Sequence, residues 1–181
     1  MGIALRLGTA LLALGWAQAG QAQPAPPALQ TQVQDIVADF SARYRAAPNA
    51  MAAGGLRPER ARALCAALRT GNAAVRGWVG VVERLDSSAS GHGVLKVRLT
   101  PTLALRTHSL EWGDQEDRTL IPARSPLFRI AAALQAGQRI SFDGSFRPNR
   151  EDCIRETSVT VDGAMRDPDF LFRFTAIRPV E

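Results

Sequence analysis

Only a few places in this chain hold residue types that could do chemistry. It has two histidines, His92 and His108, and two cysteines, Cys65 and Cys153. His92 sits between Gly91 and Gly93 in a polar turn, a setting that reads as a solvated tip. His108 follows an alternating run on its polar side. As a general base it would need a nucleophile and an orienting acid within hydrogen-bond reach. No G-x-S-x-G, H-E-x-x-H or P-loop spacing occurs. Glu111, Asp114, Glu116 and Asp117 crowd one loop. Calcium wants about six to eight oxygens at ordered spacing with a turn glycine. Here Gly113 precedes most of the acids and no distal Glu follows in register, so the loop reads as solvated. Glu151-Asp152 beside Cys153 is a shorter acidic pair without further ligands. No catalytic residue, metal site or cofactor is expected.

The richest pattern is a basic row. In Val94-Leu-Lys-Val-Arg-Leu99, Leu95, Val97 and Leu99 share one parity and Lys96 and Arg98 the other. Pro101 interrupts; Leu103 and Leu105 then resume the apolar side, opposed by Arg106 and His108. If the two runs pair as a hairpin, Lys96, Arg98, Arg106 and His108 project together from the non-core face. Trp112 in the next loop could offer a stacking platform, and Arg118 and Arg124 further charge. The face carries no aromatic residue on its strands, so the competing reading is the wet side of a half-buried sheet.

The elements that must hold this row follow from periodicity. Val33, Ile36, Val37, Phe40 and Tyr44 recur at helical steps, and Pro48-Asn49 and Gly54-Gly55 punctuate the end of that helix. A second helix is expected from Pro58 through Leu64 and Leu68 to Gly71-Asn72. From Val75 the period becomes two. Trp78–Leu85, Val94–Leu99 and Leu103–Leu105 read as strands, with a short one expected at Thr119–Ile121. Ser125-Pro126 is a cap followed by a first-turn proline, opening a helix that ends by Gly137. Gln138–Phe146, Ile154–Val161 and Phe170–Ile177 are expected strands, and Phe170, Phe172 and Phe174 share a core-facing parity.

The first residues set the compartment. Arg6, the apolar run Leu7–Trp16 and the small residues through Ala22 make a signal peptide, cleaved after Ala19 or Ala22. The run is too short for a membrane span. The net charge of +5 falls by one with Arg6, leaving a modest surplus that permits an anionic partner without demanding one. In an oxidising compartment Cys65 and Cys153 are expected to pair. Closing so long a loop would restrict the unfolded chain by about 4–5 kcal/mol in the chain-entropy model. The expected organisation is signal peptide 1–22, flexible spacer 23–29, N-terminal helices 30–72 and a β domain 75–181.

Three strands, a helix and further strands is the order of the OB-fold, and Gly80 and Gly144 suit strands that bend sharply. The chain resembles periplasmic OB-fold proteins, and more narrowly a family of uncharacterised secreted proteobacterial proteins. The residues carrying that likeness are Trp78-Val-Gly80-Val, Thr119-Leu-Ile121, Ser125-Pro-Leu-Phe128, Gly137–Phe146, Cys153 with Glu156, and Pro168–Phe174. The expected fold is α+β and mainly β: an OB-like barrel of five to six strands with an intervening short helix, preceded by two helices. The expected function is a non-enzymatic periplasmic binding or accessory module. It would recognise an anionic ligand or an envelope protein through Lys96, Arg98, Arg106, His108, Trp112 and Arg118. The second reading is a structural subunit of an envelope or secretion assembly. The third is an enzyme using His108 and the Glu111–Asp117 loop.

Overall fold

The computed structural model describes residues 24–68 and 73–180. The expected signal peptide and the Gly71-Asn72 helix stop lie outside the described residues. The chain is mixed α+β, with two N-terminal helices followed by a five-stranded sheet that closes on itself.

Helix α1 (Ala28–Ala46) buries Val33, Val37 and Phe40, the stripe expected from the sequence. It starts inside the segment expected to be a flexible spacer, and Arg139 donates to the Pro24 carbonyl just ahead of it. Helix α2 (Ala50–Leu68) begins well before Pro58, which lies inside it together with Gly54 and Gly55. This corrects the expected start. The Asn49 side chain accepts from Ala52 N at 2.9 Å, so the helix is capped there rather than at the proline. Buried Leu64 and Leu68 then anchor its second half in the core.

Strand β1 (Ala74–Ser87) is long enough to pair with β2 (Gly93–Thr100) along one edge and β4 (Arg139–Phe146) along the other. β2 continues into β3 (Leu103–Arg106) around Pro101. β7 (Asp169–Pro179) lies parallel to β3 and antiparallel to β4, which completes the ring β1-β2-β3-β7-β4. Such closure leaves no long strand edge unpaired. Two glycines permit it. A Cβ on Gly80 would stand 2.6 Å from Val97 Cγ1, and one on Gly144 would stand 2.2 Å from the Arg173 carbonyl. Strands cross there at a distance only glycine allows.

Phe170, Phe172 and Phe174 are core residues, as their shared parity implied. They meet Phe142 and Phe146 edge to face, and Trp78 packs on Phe146 at 5.5 Å. Val33, Val37, Leu64 and Leu68 belong to the same apolar cluster, so the two helices share the core of the sheet. Gln30 adds a polar tie: its buried amide donates to the Val79 carbonyl at 2.6 Å and accepts from Val79 N at 2.8 Å.

The link between β4 and β7 departs most from expectation. In place of a strand over Ile154–Val161 there is a two-residue pairing of β5 (Pro148–Asn149) with β6 (Cys153–Ile154), then helix α5 (Val161–Arg166). Glu156 explains the break. Its carboxylate accepts from Ser158 N, Ser158 Oγ and Asp169 N, turning the chain, and Thr160 caps α5 through Gly163 N. Thr119–Ile121 contributes only an isolated bridge between Gly93 and Ile121. The expected helix after Ser125 exists as α4 (Pro126–Ala132), with Ser125 Oγ accepting from Phe128 N, but it stops short of Gly137. Cys65 and Cys153 form a disulfide with Cα atoms 5.5 Å apart, fastening α2 to β6.

Candidate ligand-binding site

The β2–β3 hairpin forms with Lys96 opposite Arg106, so Lys96, Arg98 and Arg106 do share the outer face. What covers that face was not visible in its local pattern. Lys96 Nζ lies 3.1 Å from Glu83 and 2.8 Å from Asp169. Arg98 meets Glu83 at 2.6 Å and Asp167 at 2.9 Å. The hydrogen bond from Arg98 holds the Glu83 carboxyl below the usual range, and Glu83 raises Arg98 in turn. Three acids from β1, the end of α5 and the start of β7 thus answer two cations. The middle of the face is an ion-pair ladder, with little free charge to offer a ligand.

The row changes character at its far end. Arg106 leans away from the ladder: its Nε donates to the Thr107 carbonyl, another guanidinium nitrogen reaches Ser109 Oγ, and Asp169 is 3.9 Å away. His108 lies past the end of β3. Its backbone N donates to Thr119 Oγ1, and its Nε2 is 2.9 Å from the buried Asp117. Arg155 also donates to Asp117 at 2.9 Å, and Arg147 stands 3.6 Å from it. The His108 ring is seated on Gly113, where a Cβ would come within 3.2 Å of Nδ1. An orienting acid for His108 therefore exists, but the ring hydrogen-bonds to no hydroxyl among the described residues. Among those residues, no cluster of three or more His, Cys, Asp or Glu is placed to hold a metal ion.

The acidic loop folds into a single turn, α3 (Glu111–Asp114), and its acids divide their roles. Asp114 accepts from Thr119 N, Thr119 Oγ1 and Leu120 N, while Asp117 ties His108 to Arg155. The turn turns Trp112 outward, 76% exposed, with Leu110 beside it at 50%. Val159, fully exposed, faces the same space from the segment ahead of α5. Arg106, His108, Trp112 and Arg155 line this groove of about 760 Å³. Three of the large exposed apolar side chains thus converge with two guanidinium groups. A flat ring can stack there while the arginines hold an acid group.

Arg118 does not join this groove. It lines a recess of about 600 Å³ on the other side of α3 with His92, Glu111 and Arg173, and Gln115 borders both spaces. His92 is half-buried rather than a free tip: its Nδ1 is 2.7 Å from Ser90 Oγ, which donates to Glu111 at 2.6 Å. Ser90, Arg155 and Val159 escaped the sequence reading because loops far apart in the chain bring them to their sites. The one sequence signal was a histidine flanked by glycines close to a serine-rich turn. Compared with known protein families, curated proteins and solved structures, the chain matches none.

Proposed function

We propose that this chain is a non-enzymatic binding module of the cell envelope, periplasmic or secreted, that takes an anionic ligand in the groove at the open end of the β2–β3 hairpin. The strand order, with α4 between β3 and β4 and a parallel β3–β7 contact, supports reading the sheet as a mainly-β, OB-like barrel. The disulfide is compatible with an oxidising compartment. The observation that carries the reading is the exposed Trp112 beside Arg106 and Arg155. Leaving so large an aromatic surface in water is unfavourable, and pairing it with guanidinium groups suits a ligand with an acid group and a flat or apolar face.

The test uses immobilised heparin, polygalacturonate and oligo-deoxythymidine as sulfated, carboxylated and phosphodiester probes. Binding to at least one that weakens at least about tenfold in Trp112→Ala and in Arg106→Glu supports the reading. Undiminished binding in both variants removes the groove from consideration.

The second reading, a structural subunit of an envelope assembly, draws on the same Leu110, Trp112 and Val159 surface, which a protein partner could cover. Sedimentation of the purified chain separates the two readings: a monomer that binds a polyanion favours the first.

A further inference from the structure

We infer that the recess behind α3 is a second binding site, and that it takes a small amphipathic acid, with a carboxylate or phosphate head and a short apolar body. It does not depend on the groove reading, since the two spaces share only Gln115 at their borders.

The lining of the recess includes two cations. Arg118 and Arg173 both line the recess, and neither guanidinium is paired with a carboxylate among the described residues. Arg118 is held for display. Its backbone lies in the left-handed region at φ 50°, a conformation that residues with a Cβ rarely adopt, and its N donates to the Asp114 carbonyl at 2.8 Å. The carboxylate of Asp114, nine-tenths buried, then takes the next two backbone N–H groups, at Thr119 and Leu120. That brace fixes the turn from which Arg118 projects.

The two acids that also line the recess are already engaged. Asp114 is consumed by the brace, and Glu111 accepts from Ser90 N and Ser90 Oγ. The Ser88 hydroxyl, followed by these two bonds from Ser90, holds Glu111 down to about 2, so it is ionised and has no proton to give. The single Ser90 hydroxyl proton therefore goes to Glu111, and His92 must supply its own proton at Nδ1 to meet Ser90 Oγ. The ring orientation is thereby fixed, with Nε2 hydrogen-bonded to nothing among the described residues. The apolar part of the lining is Leu120, Ile121, Leu127 and Phe174, which are buried or half-buried. Its volume of about 600 Å³ falls in the range of sites for small organic ligands.

The experiment is calorimetric titration, with amide chemical-shift mapping, of the oxidised chain with three probes: octanoate, octyl phosphate and inorganic phosphate. The expected result is saturable binding of octanoate or octyl phosphate, with shifts centred on Arg118, Leu120 and Thr175. Whichever head binds tighter identifies the natural head group. Arg118→Gln and Arg173→Gln, both surface changes that leave the core intact, should each weaken it by at least about tenfold, while Trp112→Ala leaves it unchanged. The inference is overturned if neither amphiphile binds by about 10 mM, two to three orders weaker than a built site gives. It is equally overturned if shifts centre on Trp112, if the arginine variants bind as well as the parent, or if inorganic phosphate binds as tightly as octyl phosphate.

Discussion

Asp152 accepts two hydrogen bonds from Arg57, at 2.7 Å from Nε and 2.6 Å from Nη2, one residue before the cysteine that is bonded to the same helix. Helix α2 is thus fastened to the β5–β6 hairpin twice, once by an ion pair and once by sulfur. The first fastening acts on the folded state and raises Arg57 above its ordinary range, chiefly through the Asp152 hydrogen bond. The second acts mainly by restricting the unfolded chain across 88 residues.

The two should therefore respond differently. Replacing both cysteines with serine is expected to lower unfolding free energy by about 3–5 kcal/mol with the native far-ultraviolet spectrum retained. Asp152→Asn in the oxidised protein should cost about 1–2 kcal/mol. Urea titrations of the variants check both, and a cysteine-free protein as stable as the parent would show that the bridge gains nothing from restricting the unfolded chain.

Glycines in this chain have opposite meanings at different positions. Gly144→Ala forces a methyl group against the Arg173 carbonyl and the Phe172 ring, at 2.2 and 2.3 Å, where backbone cannot yield without opening the β4–β7 pairing. A loss of about 3 kcal/mol or more is expected. Gly54→Ala and Gly55→Ala lie in α2 with nothing within 4 Å of the new carbon, so each should raise stability by about 0.5–1 kcal/mol. Denaturation midpoints of the three variants settle the contrast.

Those two helical glycines also show where sequence reading stops. Gly54-Gly55 read as the end of one helix and Pro58 as the start of the next; α2 runs through all three because Asn49 caps it and Leu64 and Leu68 bury against the sheet. The same tertiary override removed the expected strand at Ile154–Val161, where the Glu156 carboxylate turns the backbone before pairing can extend. By contrast, the outward parity of Lys96, Arg98 and Arg106 and the inward parity of Phe170, Phe172 and Phe174 were legible, because strand alternation is a local property. The partners of the basic row were not. Glu83, Asp167 and Asp169 reach it from other strands and from the end of α5, and only the closed ring sets them opposite it. Asp117 beside His108 lay within the acidic loop already under scrutiny, but its burial depends on Arg147 and Arg155, which arrive from the β4–β7 link.

Acid should loosen this network in a definite window. Hydrogen bonds from Arg98 hold Glu83 down, and hydrogen bonds from Arg178 and from Gly77 N hold Asp143 down. A carboxyl depressed in the folded state contributes stability that is complete above its unfolded value and lost as pH falls through the folded one. The thermal midpoint should therefore be flat from neutrality to about pH 5 and fall below about pH 4. Glu111 should titrate near 2 by carboxyl carbon resonance, and Ser88→Ala and Ser90→Ala should each raise it toward the ordinary range. A Glu111 midpoint unmoved by Ser90→Ala would detach the serine from the His92 arrangement.

The ion-pair ladder and the groove can be separated by asking what each substitution damages. Arg98→Glu places a third carboxylate beside Glu83 and Asp167, leaving Glu83 only Lys96 and Asp167 without its ion pair. It should cost about 2 kcal/mol of stability while leaving polyanion affinity, corrected for folded fraction, within about twofold of the parent. Trp112→Ala removes an exposed ring that supports nothing in the core, so its thermal midpoint should not move, yet binding in the groove should fall by at least about tenfold. Raising salt should weaken binding of the parent and of Trp112→Ala with the same slope, because the arginines that release counterions are intact in both. If Arg98→Glu abolishes binding in a fully folded protein while Trp112→Ala does not, the ladder rather than the groove is the recognition surface.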